Sequence, residues 1–263
     1  FQLFPEQFYV LQFHILFYSK TRQCQEKAKK LLDDYILKNG HIDGNSLKEQ
    51  WFTISHYDVF ISHSHKDLTK VKAFAGWLYD EFGLTSFIDS CVWGYCDDLL
   101  KQIDDKYCKK DDGKTYDYDR RNYSTSHVHM MLSTALSEMI DNSECIMFFN
   151  TPNSISMIDD LNIIRRERKK VTLSPWIYHE LSMTSLIEKK KPDRDLQFYK
   201  VYMEHRDEYS KNDLLIEYEV SDYLKNLIEL RSEQLEEWKK EYYSMLEKRH
   251  PLDVLYQINY NNK

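Results

Sequence analysis

The segment from Ser174 to Leu181 combines a helix-capping pair with an aromatic side chain and a carboxylate. Ser174 is suited to cap a helix through its hydroxyl, and Pro175 suits the first helical position, where its missing N–H would be unpaired anyway. Trp176 and Glu180 then lie four residues apart, one turn from each other on the same helix face. An aromatic ring beside a carboxylate can hold a flat heterocycle next to a negative charge, although the same pair is also ordinary on a half-buried helix.

Three short runs rich in β-branched and aromatic residues predict the strands that must position this segment. They are Tyr57 to Ser62, Thr85 to Asp89 and Cys145 to Phe149. Between the first two runs, apolar residues recur at helical spacing from Val71 to Phe82, and Gly83 follows them as a helix C-cap residue. The alternation of strands and helices predicts an α/β fold, with a parallel sheet covered by helices on both faces.

Polar residues follow each of these three strands. The strand ends read Ser62-His63-Ser64-His65, Asp89-Ser90 and Asn150-Thr151-Pro152-Asn153. A doubly wound parallel sheet binds ligands in the crevice outside the carboxyl ends of its strands. Small and polar side chains at these ends therefore favour a hydrogen-bonded ligand there, close to the helix that carries Glu180.

The chain as a whole predicts one main domain with additions at both ends and within it. We assign residues 1–50 to a helical N-terminal extension, 51–250 to the main domain and 251–263 to a C-terminal tail. Two polar stretches, near 109–125 and 151–171, interrupt the alternation of strands and helices. We interpret both as insertions into the main domain.

Other segments carry further signals of secondary structure. The residue patterns predict helices between Glu6 and Leu37 and around Leu99 to Ile103, together with one long, charged helix over 224–246. Strand-like runs occur at Leu196 to Met203 and at Leu214 to Val220. These segments complete the expected sheet and its covering helices.

Composition and motifs argue against several classes of function. The formal net charge of −7 argues against duplex nucleic acid as a partner, because phosphate binding depends on clustered Lys and Arg. The six glycines form none of the common phosphate-binding loops, and the nucleophile-elbow and zinc-protease motifs do not occur. The basic run from Arg165 to Lys170 fits a pyrophosphate contact or, more simply, a solvated loop.

Cysteine usage and hydropathy bear on localisation. Five cysteines, an odd number in a chain of this size, fit reduced thiols better than a disulfide framework, so we expect a cytoplasmic protein. The apolar segment Val10 to Tyr18 is interrupted well short of the ~20 apolar residues that a membrane span requires. It predicts a buried or amphipathic helix, and we expect no membrane partner.

Two His-x-His pairs raise the question of a metal site. On a strand, residues two apart share a face, whereas on a helix they diverge. His127 and His129 fall at the start of a predicted helix, so a shared ion is not expected there. For His63 and His65 we prefer polar loop residues near a ligand over metal ligands.

Three segments, in this order along the chain, resemble the TIR (Toll/interleukin-1 receptor-like) domain family. Tyr57 to His63 is similar to the family's first strand, and Phe87 to Asp89 is similar to its second strand, which enters the mobile BB loop. Ser174-x-Trp176-x-x-x-Glu180-Leu181 resembles the αC segment that carries the catalytic glutamate of NAD⁺-consuming members. The resemblance covers roughly Trp51 to Leu246 and implies a flavodoxin-like, doubly wound parallel sheet.

The resemblance also implies an enzyme for which NAD⁺ is the substrate, with no further cofactor and no metal. Glu180 then matches the catalytic residue. The implied substrate-binding residues are Trp176, Ser62, His63, His65 and Asp89. Two features depart from the family: His65 stands where some relatives have Arg, and the segment before the glutamate-bearing helix is longer.

The implied reaction breaks the bond between nicotinamide and ribose, and the attacking group then decides the product. Water gives ADP-ribose, an atom of the same nucleotide gives a cyclic isomer, and an outside nucleophile gives a conjugate. By resemblance, the product is an antiphage defence signal sensed by a downstream effector, and the TIR surfaces self-associate. Two alternatives stay open, namely a non-catalytic TIR scaffold that acts by assembly and a toxin that depletes NAD⁺.

Overall fold

The computed structural model describes residues 1–3, 32–52, 55–159, 168–187, 216–246 and 249–261 of the 263-residue chain. The chain forms two compact units. The first, which we call the sheet unit, consists of Phe1–Phe13, Tyr57–Ile88 and Ile140–Lys263. The second, which we call the helical unit, consists of His14–His56 and Asp89–Met139.

Five parallel strands form the main sheet of the sheet unit. They are β1 (Gln2–Leu3), β2 (Val59–Ser62), β3 (Ser86–Ile88), β4 (Cys145–Phe149) and β8 (Glu229–Leu230). Their order is β3-β2-β4-β1-β8, and every neighbouring pair is parallel. The predicted α/β class and parallel sheet are therefore confirmed, and the order of β3, β2 and β4 is compatible with a flavodoxin-like fold.

Strands β2 and β4 form the centre of this sheet. All four residues of β2 are buried, and in β4 all but Ile146 are buried. A strand that is covered on both faces carries a continuous apolar run instead of an alternating one, which explains why both strands stood out in the sequence. Thr85 donates from its backbone N–H and its hydroxyl to Asp58 Oδ2, each over 2.7 Å, and so fixes the entry to β3 beside β2.

The first residues of the chain add a strand that the sequence pattern did not predict. In β1, Gln2 pairs with Phe148 of β4 on one side and with Glu229 of β8 on the other. The Gln2 N–H donates to Ile228 O over 2.7 Å, and Leu3 is fully buried. Residues 1–50 therefore contain sheet as well as helix. The sequence did not predict this strand because two residues are too few to produce a periodic pattern.

Helix α2 begins at Leu68 and ends at Phe82, after a short 3-10 turn at His65–Asp67. Its predicted apolar face is buried, and Trp77 is buried with it. Gly83 adopts the left-handed conformation with φ of 70°, and its N–H donates to Tyr79 O. The predicted helix and its glycine cap are both confirmed.

A small antiparallel sheet precedes the helix that carries Glu180. It consists of β5 (Ser156–Asp159), β6 (Arg168–Thr172) and β7 (Tyr218–Glu219), in the order β5-β6-β7. The interpretation of the basic run as a solvated loop is wrong at its end, because Lys170 lies in β6 and is buried. Lys169 pairs with Glu219 across β6 and β7 over 3.1 Å.

The C-terminal part of the sheet unit differs from the prediction of one long helix. The stretch 224–246 contains the end of α6 (Ser221–Leu224), the strand β8 and α7 (Ser232–Ser244). Pairing of β8 with β1 overrides the helical spacing of the leucines, since Leu227 and Leu230 become buried by this pairing and its surroundings. Residues 251–263, interpreted as a tail, contain helix α8 (Pro251–Asn261), with Leu252, Val254 and Leu255 buried.

Aromatic side chains of the sheet unit join α2, α7 and the start of α8. The ring of Trp238 stacks on Phe82, with centroids 4.0 Å apart, and contacts Trp77 edge-on at 6.0 Å. Its Nε1–H donates to the carbonyl of Pro251 over 2.8 Å. Trp238 is fully buried, so the indole both fills this cluster and satisfies a buried carbonyl.

The helical unit contains α1 (Gly44–Trp51), α3 (Ser90–Tyr107) and most of α4 (Tyr118–Asn142). Lys48 of α1 pairs with Glu138 of α4 over 2.6 Å, and Arg121 of α4 pairs with Asp104 of α3 over 2.8 Å. The predicted insertion near 109–125 covers a turn closed by a bridge between Lys109 and Tyr116, followed by the start of α4.

Helix α3 corrects the prediction of a mobile loop after Asp89. The helix begins at Ser90, directly after Asp89, and runs without a break to Tyr107, where the resemblance implied the BB loop. Cys96, Leu99 and Ile103 are buried at helical spacing, so the helix predicted around Leu99 extends further towards its N-terminus. Burial of these three side chains on one face stabilises the helical conformation of the segment after Asp89.

Several predicted elements lie outside the described residues. They are most of the helices between Glu6 and Leu37, including Val10 to Tyr18, the strand-like run Leu196 to Met203 and the first part of the basic run. Within the described ranges, none of the helices has the length and apolar character needed to cross a membrane.

Replacement of Trp238 by Phe tests the role of the aromatic cluster. We expect the free energy of unfolding to fall by about 1–3 kcal/mol, because the buried Pro251 carbonyl loses its donor. Urea unfolding followed by circular dichroism measures this change. Tyr118→Phe is the control, since Tyr118 is 76% exposed and the loss of its hydroxyl should change stability by less than about 0.5 kcal/mol. Equal effects of the two substitutions would contradict the proposed role.

Candidate functional site

Glu180 lies in helix α5 (Pro175–Leu186) and is almost completely buried, with 1% of its surface exposed. Its Oε2 atom accepts a hydrogen bond from the Ser62 hydroxyl over 2.6 Å. Ser62 is the last residue of β2 and is equally buried. Two residues that are 118 positions apart in the chain therefore meet at the carboxyl end of the central strand.

The start of α5 is fixed by the capping residues that the sequence predicted. The Ser174 hydroxyl accepts from the Ile177 N–H over 3.3 Å, and Pro175 occupies the first turn. Ile177 and Leu181 then pack into an apolar cluster with Phe148 of β4. Because Glu180 neighbours Leu181 and follows Ile177 by three residues, this packing turns the carboxylate inward with them.

Tyrosines fix the orientation of α5 from another side. The ring of Tyr178 stacks on Tyr218 of β7, with centroids 4.6 Å apart. A hydrogen bond with Tyr178, together with partial desolvation, raises the pKa of Tyr223 above its usual value. These contacts hold the helix that carries Glu180 against β7 and α6.

Trp176 precedes Glu180 by one helical turn and is half-buried. The spacing places both side chains on one side of α5, as predicted from the sequence. Its more exposed position, compared with the buried Glu180, suits an aromatic surface at the rim of a site. The assignment of Trp176 to substrate binding stays a prediction.

The two histidines after β2 have different environments. His63 is buried, and its Nδ1 atom lies 3.2 Å from the carbonyl oxygen of Ile61. A carbonyl oxygen only accepts, so this contact requires the proton on Nδ1. His65 is exposed at the start of the 3-10 turn. Of the two, only His65 offers a freely accessible ring.

A second buried carboxylate, which the sequence analysis did not single out, links the ends of β2 and β4. Asp67 is 2% exposed and accepts from the hydroxyl of Thr151 over 2.5 Å and from Nδ2 of Asn153 over 3.0 Å. Ser154 donates to Phe149 O and accepts from the Thr151 N–H, each over 2.9 Å. Of the polar strand ends read from the sequence, Thr151 and Asn153 after β4 therefore lie in one network, and its central residue is Asp67.

Asp89, the remaining predicted site residue, belongs to the helical unit. It follows β3 directly, is 3% exposed and already has helical backbone angles. His127 and His129 lie in the same unit, exposed on α4 on either side of the buried Val128. The helix predicted at these two residues is confirmed.

Comparisons of the chain with protein-family models, with curated proteins and with solved structures find no match. The TIR resemblance accordingly remains a prediction from three sequence motifs. The geometry at the carboxyl ends of β2 and β4 is the physical basis for any proposal about function.

Replacement of Asp67 by Ala tests the network between the strand ends. Thr151 and Asn153 would lose a charged acceptor in a buried place, so we expect the free energy of unfolding to fall by about 2–4 kcal/mol. Lys70→Met is the matched control. Lys70 approaches the same carboxylate at 3.6 Å but is 55% exposed, so its removal should cost less than about 1 kcal/mol. Urea unfolding distinguishes the two, and a loss in the control as large as in Asp67→Ala would refute the assignment.

Proposed function

We propose that the chain cleaves NAD⁺ at the nicotinamide–ribose bond, with Glu180 as the catalytic carboxylate. One observation carries the proposal, namely the buried hydrogen bond between Ser62 and Glu180 at the carboxyl end of β2. The resemblance to NAD⁺-consuming TIR domains supplies the substrate class. The position and burial of the Glu180 carboxylate support its role as the catalytic group.

The burial of Glu180 favours a functional role. Moving a carboxylate out of water costs several kcal/mol after relaxation, and a well-packed apolar residue is often more stabilising at such a position. Perturbed, buried ionisable groups are concentrated at functional sites for this reason. A glutamate buried on a helix whose Ile177 and Leu181 lie in an apolar cluster is thus a stronger candidate than one on an exposed helix face.

The location of Glu180 in the sheet supports the same role. The chain passes from β2 outward to β3 and then returns past β2 to β4, so the direction of the crossovers reverses between β2 and β4. In open α/β sheets, ligands bind outside the carboxyl ends of the strands at this reversal. Ser62 ends β2 there, and the network of Asp67 and Thr151 lies at the same edge of the sheet.

The chemistry needs a fixed negative charge, which this arrangement provides. Departure of nicotinamide leaves positive charge on the ribose, and an oriented carboxylate stabilises that charge as it develops. The Ser62 hydroxyl holds Glu180 Oε2 in place, so Ser62 acts as a positioning residue. Exclusion of water from such a site favours a cyclic or conjugated product over ADP-ribose.

Access of the substrate to Glu180 requires a movement, since the carboxylate is closed off from solvent in this structure. The proposal therefore includes an opening step in which α5 or the adjoining strand ends separate. Self-association through TIR surfaces is the trigger that the family resemblance suggests. Activity should then rise more steeply than in proportion to protein concentration.

The same burial favours a second candidate function, a non-catalytic scaffold. In that case the bond between Ser62 and Glu180 only ties α5 to β2, and the protein acts through assembly with other TIR domains. The two candidates differ in one respect that can be measured. A scaffold releases no nicotinamide at any protein concentration, whereas a depleting toxin and a signalling enzyme both do.

Glu180→Gln is the decisive substitution, because it retains volume and removes the charge. We expect nicotinamide release to fall by about 100-fold or more, as is typical when a charge-stabilising group is lost from a site. Chromatography of NAD⁺ incubated with the purified chain at several protein concentrations measures release and identifies the product. Glu236→Gln, an exposed change in α7, is the matched control and should retain full activity.

Ser62→Ala completes the test and separates positioning from folding. We expect a fall in kcat of about tenfold with Glu180 still present, and an unchanged circular dichroism spectrum. Equal release by the wild type and Glu180→Gln would exclude the catalytic role. Absence of release from the folded wild type at every concentration would instead support the scaffold.

A further inference from the structure

Three potential metal ligands converge at the other edge of the main sheet. Glu144 directly precedes β4, so it lies at the amino end of the strand, whereas Ser62 and Glu180 lie at the carboxyl ends. His250 and Asp253 come from the start of α8. One ligand atom from each of the three side chains lies within 4.8 Å of the other two.

We propose that Glu144, His250 and Asp253 bind a divalent transition-metal cation, with Zn²⁺ as the representative ion. Bonds of about 2.0–2.2 Å to nitrogen and oxygen hold ligand atoms at most about 4.4 Å apart. The observed spacing is close to this limit. Glu144 is exposed, so a small rotation of its side chain closes the remaining gap.

The backbone at the start of α8 places two of the ligands together. The His250 carbonyl accepts from the Asp253 N–H over 3.0 Å, which forms the first turn of the helix. Residues three apart in a helical turn share a face, so both side chains point to the same side. The buried bond from Trp238 to the Pro251 carbonyl holds this turn in place.

His250 supplies a second, independent indication of a ligand. Its Nδ1 atom is buried and has no hydrogen-bond partner among the described residues. A buried polar atom without a partner costs stability, and ring nitrogens of histidine are the commonest metal ligands in proteins. A bound cation accounts for both the burial of this nitrogen and the two carboxylates beside it.

Contacts around Glu144 resemble the outer shell of a metal site. The hydroxyl of Tyr256, one turn further along α8, donates to Glu144 Oε1 over 3.3 Å. Ligating carboxylates are commonly oriented by such hydrogen bonds. Tyr256 therefore orients the exposed carboxylate of Glu144 from the same helix that supplies Asp253.

The donor set selects the class of cation. Two carboxylates give the site a charge of −2 with a neutral imidazole, which outweighs the weak positive end of the α8 dipole. An imidazole ligand favours transition metals over Mg²⁺ and Ca²⁺, which prefer oxygen alone.

Metal binding by the purified chain, stripped with a chelator and assayed in reducing buffer, tests the proposal. We expect one equivalent of Zn²⁺ by titration calorimetry and a rise in Tm. Substitution of an outer-shell residue weakens metal sites by about 10–100-fold, so loss of a direct ligand in His250→Ala should weaken binding by about 100-fold or more. Glu144→Gln, in an exposed turn, should weaken it without affecting folding.

The controls separate this site from nonspecific binding. His129→Ala removes an exposed histidine of α4 and should leave the affinity unchanged. Co²⁺ should give visible bands for nitrogen and oxygen ligands without sulfur-to-cobalt charge transfer. Equal affinities of the wild type and His250→Ala, a thiolate spectrum, or competition by Mg²⁺ at the same concentration as Zn²⁺ would each overturn the proposal. None of these readouts depends on NAD⁺ cleavage.

Discussion

The parallel pairing of β2 with β4 is the interaction on which the rest of the sheet unit depends. Val59 pairs with Cys145 and Ser62 pairs with Phe148, so the two strands begin together and β4 extends one residue beyond β2. This register brings the segments after both strands to one edge of the sheet, where Asp67 meets Thr151. A slip of one residue would turn every side chain of the strand to the opposite face of the sheet and would break the contact between Asp67 and Thr151.

Two buried carboxylates lie at this edge, and they differ in how they are held. Asp67 accepts from a hydroxyl and an amide of the segment after β4, and an exposed lysine lies near it. Such an arrangement is a cross-link between loops, because each donor comes from a residue of the same turn. Glu180 comes from helix α5 and accepts from the Ser62 hydroxyl at the end of β2. Asp67 therefore joins two loops of the sheet unit, whereas Glu180 joins a helix to a strand.

The opposite edge of the sheet, at the amino end of β4, carries three potential metal ligands. There the amino end of β4 meets α8, and the convergence of Glu144 with His250 and Asp253 depends on the packing of α8 through Leu252, Val254 and Leu255. The two edges share β4 but no ligand residue. A cation at one edge and a nucleotide at the other would accordingly be independent in binding, apart from any effect through the stability of the sheet.

Local patterns in the sequence determined β2, β3, β4, α2 with its Gly83 cap, and the start of α5 at Ser174 and Pro175. Each of these depends on periodicity or on a hydrogen bond within one helical turn, so neighbouring residues suffice to specify it. The tertiary structure alone decided the placement of β1 and β8, the helix that follows Asp89, and the split of the stretch 224–246. It also decided that Ser62 is the partner of Glu180 and that Asp67 joins Thr151, since contacts between residues more than 80 positions apart depend on the register of the sheet and leave no local signal.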